Sequence, residues 1–255
     1  NRSYTTGHKS YRARATIELG EAVGWDDAHD VLYAGVPDMA VGPRWHSAYE
    51  MACQITWTRL AEEDARPRSS MEPSPKRLCE ERLLGNAEPL SPAAAQRLIH
   101  AITREPEPAY IDEITALLLA GKDPRQIVDA IQIAAAQVIL TVGSPENFSM
   151  PQHGYEYTNT LRWFYDTFEH PHRLKLLYVA GSFIHQAAAW IRNTPGNGAA
   201  DPRPPTRARS MSAPELLVRL DEAQMALRPA ESVAWTRAYL DAGSDRALLV
   251  RALTL

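Results

Sequence analysis

The chain has 255 residues, of which 45% are hydrophobic and 23% charged, and its net charge is −4. A chain of this length can bury the core of one large domain or two small ones. The negative charge disfavours a general nucleic-acid binder, and the longest apolar run, 131–142, is too short to span a membrane. Two cysteines without a CxxC pair form no disulfide framework. We therefore expect a cytoplasmic protein, because a reducing compartment fits this cysteine usage best.

Helical periodicity runs through the first half of the chain, and no stretch alternates as a strand does. The predicted helices are residues 8–23, 27–41, about 44–63, 76–84, one that opens at 91–92, 108–121 and 124–141. Gly24 ends the first helix and Asp26 caps the second, which Pro37 should kink or end. Ser91 is a helix cap followed by a first-turn proline.

Residues 149–190 read as two long helices joined at 169–171, with Pro171 in the first turn of the second. On the first helix, one apolar stripe consists of His153, Tyr157, Leu161, Phe164 and Phe168. On the second helix, two neighbouring stripes consist of His172, Leu176, Val179 and Phe183, and of Lys175, Tyr178, Ser182 and His185. Imidazoles and a lysine on apolar faces cost free energy unless they find partners. This helical pair is therefore predicted to hold half of a histidine-rich site.

The remaining chain consists of connections and further helices. Residues 65–75 and 194–211 are rich in proline and polar or small residues, which predicts flexible connections. Ser212 and Glu215 form a capping box, a specific signal for a helix start, and two helices are predicted from there to Leu255. The predicted fold is an all-α, multi-helix bundle without significant β-sheet, formed as a single domain over 1–255.

Two stretches of the chain resemble each other. AGKDPRQIVDAIQI at 120–133 and AGSDRALLVRALTL at 242–255 share Ala-Gly-x-Asp, with the aspartate as a helix cap and matching apolar positions after it. Short helical motifs also recur by chance. If the repeat is real, it predicts how the second copy should end. The second copy stops at Leu255 in mid-pattern without a glycine or asparagine cap. We expect that the natural protein continues beyond this residue, or that another chain supplies the missing helix.

Five of the eight histidines lie on apolar stripes, namely His8, His46, His153, His172 and His185. Any single inward-facing histidine is more often structural than functional, whereas five in one domain favour a transition-metal site of iron, copper, zinc or nickel. Of the others, His29 and His100 are expected to be solvated and His170 to cap a helix. Glu169-x-x-His172 has the ExxH form of di-iron bundles, but it occurs once and contains Pro171.

The segments GHKSYRARATIELG, MPQHGYEYTNTLRWFYDTF, HPHRLKLLYVAGSFIH and YLDAGSDRALLVRAL resemble the questin oxidase-like proteins. The resemblance implies an all-helical fold and oxidative opening of polycyclic aromatic polyketides. Some members of this family are similar to non-haem iron oxygenases, in which several histidines and a carboxylated lysine hold the metal. Carried over to this chain, the implied metal ligands are His8, His46, His153 and either His172 or His185, with Lys175 as the modified lysine.

The resulting hypothesis is a metal-dependent oxygenase, most simply with Fe(II), that acts on an aromatic or polyketide-like small molecule. Tyr157 and Tyr178 lie on the histidine-bearing faces, and we expect them to line the substrate pocket. The alternative hypothesis is a non-catalytic helical-repeat protein that docks partners and whose histidines are satisfied core groups. A di-iron or haem-binding bundle is the third.

Overall fold

The computed structural model describes residues 8–40, 75–143, 145–197 and 204–254. Within these ranges the chain forms α-helices and no β-strand, which confirms the predicted all-α class. The helices are α1 His8–Val23, α2 His29–Ala40, α3 Pro75–Leu84, α4 Pro92–Arg104, α5 Ala109–Leu119, α6 Pro124–Leu140, α7 Ser149–Thr167, α8 Lys175–Asn193, α9 Ala213–Met225, α10 Pro229–Asp241 and α11 Arg246–Thr254. The predicted helix at 44–63, with His46, lies outside the described residues.

Several helix boundaries differ from the predicted ones. α2 begins at His29, after a 3₁₀ turn at Trp25–Asp27, and continues through Pro37. α8 begins at Lys175 rather than at Pro171, because the preceding residues form a turn in which the backbone N–H of His172 donates to His170 Nδ1 at 3.0 Å. The last stretch contains three helices rather than two, since α10 and α11 are separated by a turn.

The chain divides into two compact units, Asn1–Gly198 and Ala199–Leu255. The boundary falls inside the predicted connection 194–211, which also contains a short 3₁₀ helix at Thr206–Ser210. None of the described helices combines the length and the apolar character that crossing a membrane requires.

Helix α8 is the centre of the first unit, because it packs against α4, α5, α6 and α7. Eleven of its nineteen residues are buried, which makes it apolar on more than one face. The core around it consists mainly of aliphatic and aromatic side chains from these helices. Burial of such side chains supplies most of the free energy that holds the helices together.

Helices α7 and α8 run antiparallel and approach closely at Gly154. A Cβ atom placed on Gly154 would come within 2.9 Å of Ile184 Cδ1 and 3.2 Å of Phe183 Cδ1. The absence of a side chain at Gly154 therefore lets the two helices touch. This contact places the second turn of α7 level with the middle of α8, near Ile184.

A network of ion pairs joins α6 to α7 on the surface. The guanidinium of Arg162 donates from Nε to Asp166 at 2.6 Å and also contacts Asp129, while Arg125 donates to the other oxygen of Asp166 at 3.0 Å. Partial burial lowers the pKa of Arg162, but the two carboxylates outweigh this effect and the net pKa is raised. The network therefore favours the charged arginine and ties the two helices together.

The second unit is a small helical cluster of α9, α10 and α11. Its core contains Leu216, Trp235, Tyr239 and Leu249. The Arg207 guanidinium lies over the ring of Trp235 at 5.3 Å. The predicted capping box is confirmed at the start of α9, where the Glu215 carboxylate accepts from the backbone N–H and the hydroxyl of Ser212, both at 2.7 Å.

The two copies of the repeat have the same local structure. In each copy the glycine has a positive φ, 82° at Gly121 and 67° at Gly243, where it ends one helix. The aspartate then caps the next helix by accepting a backbone N–H two residues on, at 2.8 Å for both Asp123 and Asp245. The predicted caps are therefore confirmed in both copies.

Replacing Arg162 by Met is expected to lower the free energy of unfolding by about 1 kcal/mol, because a partly exposed network of ion pairs stabilises a fold only slightly more than one surface ion pair does. The loss should shrink in molar salt, because screening weakens the interactions that the variant removes. Denaturant unfolding at low and high salt measures both effects. Arg104→Met is the control, because Arg104 makes no ion pair within the described residues. A loss that does not depend on salt would contradict the electrostatic account.

Glu215 leads to a prediction about pH. Its hydrogen bonds with Ser212 lower the pKa of its carboxyl. A lowered pKa means that the carboxylate stabilises the folded state above its ordinary pKa and that this contribution disappears as the pH falls through the lowered value. Glu215→Gln should therefore lower the melting temperature at pH 7, and the difference from the wild type should vanish in acid. A difference in melting temperature that grows in acid would contradict the lowered pKa of Glu215.

Candidate metal centre

Two of the predicted ligands meet between α1 and α7. Nε2 of His8, the first residue of α1, lies 2.9 Å from Nε2 of His153. The His8 side chain is exposed and that of His153 is half-buried, with ring centroids 5.0 Å apart and planes tilted by 50°. The two rings thus point their Nε2 atoms at each other across the helix interface, although they are 145 residues apart in the chain.

The other ring nitrogen of His153 decides what the pair can bind. Nδ1 lies 2.6 Å from the carbonyl oxygen of Ser149 and 3.3 Å from its hydroxyl. A carbonyl oxygen only accepts, so Nδ1 carries the proton, and Nε2 of the neutral ring has a lone pair directed at His8. The 2.9 Å between the two Nε2 atoms is the length of an N–H···N hydrogen bond in which His8 donates, and a metal ion bound to both nitrogens would lie beside the line that joins them.

This arrangement fits a metal ion. Ligating histidines commonly donate their second N–H to a backbone carbonyl, as His153 does to Ser149. Two nitrogens that bind one ion at bonds of about 2.0–2.1 Å lie roughly 2.9 Å apart when the bonds meet at 90° and roughly 3.3 Å apart in a tetrahedral site, and the observed distance is 2.9 Å. The donor chemistry and the spacing therefore suit two neighbouring ligands of one transition metal.

Tyr11 fixes α1 to α7 beside this pair. Its hydroxyl donates to the backbone carbonyl of His153 at 2.8 Å, and its ring meets that of Tyr157 edge-on at 6.5 Å. Tyr11 lies three residues after His8, on the same side of α1. The tyrosine thus holds the backbone of His153 in register with the turn of α1 that carries His8.

His172 has a different partner. Its Nδ1 contacts the carboxylate of Glu80 on α3, and the Glu80 side chain is 3% exposed against 39% for His172. The second oxygen of Glu80 is buried without a hydrogen-bond partner among the described residues. A buried carboxylate needs a donor or a cation to offset its desolvation. His172 supplies that donor to Glu80.

His185 lies in the core of the first unit. Its Nδ1 hydrogen-bonds the carbonyl oxygen of Ile102 on α4 at 3.0 Å, and its ring stacks on Tyr110 of α5 at 4.9 Å. Its side chain therefore points towards α4 and α5, while His153 belongs to the interface of α7 with α1. This is the environment of a satisfied core histidine.

The five predicted ligands within the described residues are therefore distributed over several places. Lys175 begins α8 and its backbone N–H donates to the His172 carbonyl. The His153 turn is level with Ile184, and nine residues of helix separate Ile184 from Lys175, roughly 13 Å along the axis. The described residues contain no group of three or more histidine, cysteine or acidic side chains placed to hold one metal. Of the predicted set, only His8 and His153 come together here; His46 lies outside the described ranges.

Tyr157 and Tyr178, the predicted substrate contacts, are buried. Tyr157 is 2% exposed and packs against Phe183 at 5.4 Å between ring centroids. Tyr178 is fully buried, and its hydroxyl shares a 3.1 Å hydrogen bond with Thr115 Oγ1, which also donates to the carbonyl of Ile111. Both side chains therefore pack in the core in this structure.

Some partners of the histidines were missed at the sequence level. Ser149 lies four residues before His153 and Tyr11 three after His8, so helical spacing could have indicated both. Glu80 lies 92 residues from His172, and no local pattern connects them. The partner of His185 is the backbone oxygen of Ile102, and the sequence does not show which backbone oxygen a histidine will bind.

No family model, curated protein or solved structure matches this chain. The resemblance to the questin oxidase-like proteins therefore rests on the sequence segments alone. The argument for a metal centre depends on the geometry of His8 and His153.

Tyr178→Phe is expected to lower the free energy of unfolding by about 1 kcal/mol, because it removes a buried hydrogen bond while Thr115 keeps its carbonyl partner. Tyr155→Phe is the matched control, since Tyr155 is on the surface of α7 and 40% exposed. Thermal and denaturant unfolding measure the difference. Metal content should be equal in both variants. Loss of metal at unchanged stability would show instead that Tyr178 belongs to the site.

Proposed function

We propose that His8 and His153 are ligands of a transition-metal ion and that the protein is a metal-dependent oxidoreductase. The observation that carries the proposal is the pair of Nε2 atoms 2.9 Å apart, with the Ser149 carbonyl holding the proton of His153 on Nδ1. Neutral imidazole is a ligand for iron, copper, zinc and nickel. The resemblance noted above favours iron.

Iron at this pair would supply the one-electron and dioxygen chemistry of a non-haem oxygenase. The residues of the chain have simpler roles. Ser149 selects the tautomer of His153, and Tyr11 keeps α1 and α7 in register. Because His8 is exposed, a small molecule could reach the pair from solvent. An aromatic or polyketide-like substrate, and a reducing cytoplasmic location, are parts of this proposal.

The alternative function is a non-catalytic helical protein with structural histidines. The observation that favours it is His185, whose Nδ1 is satisfied by Ile102 and whose ring stacks on Tyr110. The pairing of His172 with Glu80 is of the same kind. Under this alternative, His8 and His153 share a proton and no metal is needed.

Metal content distinguishes the two functions. The wild type, His8→Ala, His153→Ala and the control His100→Ala would be loaded with Fe(II) without oxygen, and separately with Co(II), then desalted and analysed for metal. His100 is the control because it is a surface histidine, 63% exposed, on α4. We expect about one ion per chain in the wild type and the control, and at least a tenfold weaker affinity in the other two, since each loses one ligand.

Circular dichroism of each variant shows whether it is folded, so that loss of metal is not confused with loss of structure. Equal metal in the wild type and a folded His153→Ala variant would remove this pair from any centre. A stable wild type that holds no metal under either loading would favour the structural alternative. If metal binds as expected, oxygen consumption with an aromatic probe such as a hydroxylated anthraquinone tests the oxygenase step.

A further inference from the structure

A cavity with charged walls lies between α4 and α5, in a part of the molecule that the histidine pair does not use. Its volume is about 460 Å³, within the range of small-molecule sites. Its lining includes three alanines, Ala93, Ala101 and Ala109. Their small side chains leave room in the depression, and their methyl groups give it an apolar component.

The walls of the cavity carry both signs of charge. Arg97 and His100, one turn apart on α4, face the cavity together with Glu105 at the end of α4 and Glu113 on α5. Arg97 Nε lies 3.5 Å from Glu113, and His100 Nε2 lies 3.6 Å from Glu105. These contacts are long and partly exposed, so each contributes little to stability and can be exchanged for a ligand group at small cost.

Arg97 has donors to spare. Its contact with Glu113 is made through Nε, and the terminal nitrogens of the guanidinium have no partner within the described residues. A planar guanidinium binds a carboxylate through two parallel hydrogen bonds, which a lysine cannot reproduce. The open side of Arg97 is therefore suited to a ligand carboxylate.

The two glutamates determine what else the ligand must carry. One guanidinium and two carboxylates give the cavity a formal charge of −1 when His100 is neutral. A simple anion would be repelled by the carboxylates, and a simple cation would leave the terminal donors of Arg97 unused. A molecule with a carboxylate and an ammonium group satisfies both, and its apolar part can contact the alanines of the lining.

We propose that this cavity binds a small zwitterion of the α-amino-acid type. The ligand carboxylate is held by Arg97 and its ammonium group by Glu105 and Glu113, while the side chain covers the alanines. The proposal does not depend on the metal centre, because it involves neither His8 nor His153.

Three probes of matched shape test the proposal. Norleucine carries both charges on a six-carbon chain, hexanoate lacks the ammonium group, and pentylamine lacks the carboxylate. Each is titrated into the ¹⁵N-labelled full chain, and backbone amide shifts are followed by NMR up to the solubility limit of the probe. We expect saturable shifts confined to α4 and α5 with norleucine, and at least a tenfold weaker Kd for the two singly charged probes, since each lacks one charge-assisted contact.

Arg97→Met and Glu113→Gln should each weaken norleucine binding about tenfold or more for the same reason. Arg104→Met, an exposed arginine of α4 outside the cavity, should bind like the wild type. The proposal is overturned if norleucine gives no saturable shift, if the shifts map elsewhere, if hexanoate or pentylamine binds as tightly, or if Arg97→Met and Glu113→Gln bind norleucine like the wild type.

Discussion

The close antiparallel packing of α7 on α8 is the constraint on which the rest of the first unit depends. Gly154 meets Ile184, and this contact sets the level of every other residue on the two helices. His153 consequently lies near the start of α7, while at the other end of the pair His172 precedes α8 and Lys175 begins it. A metal–nitrogen bond is about 2 Å long, so residues separated by more than a turn or two along rigid helices cannot share one ion. Helix packing therefore limits which histidines can act together.

Each described histidine found a partner that matches its environment. His153 uses a backbone carbonyl on its own helix and faces His8, which leaves two Nε2 atoms 2.9 Å apart near solvent. His185 is enclosed in the core and bonds to a carbonyl of α4. Burial thus separates two kinds of histidine that look alike in the sequence: both lie on apolar helical stripes, yet only the pair at the edge of the bundle has nitrogens directed at each other.

The helical stripes predicted some inward-facing positions, but not all of them and not their use. Tyr157, Tyr178 and His185 are all buried, as the spacing on α7 and α8 indicates. Burial alone, however, does not distinguish a core side chain from one that lines a pocket. The cavity between α4 and α5 shows the reverse case, because the charged residues Arg97 and Glu113 belong to no motif in the sequence and meet only when two helices pack side by side.

The sequence by itself determined the helical class, most helix starts and the capping of Ser91, Asp123, Ser212 and Asp245. These features depend on interactions between residues two to four apart, which a linear pattern contains. Tertiary structure alone decided that His8 meets His153, that His172 meets Glu80 and that His185 faces Ile102. Those pairs are 83 to 145 residues apart, and their meeting depends on the level and direction of packed helices, which helical periodicity does not specify.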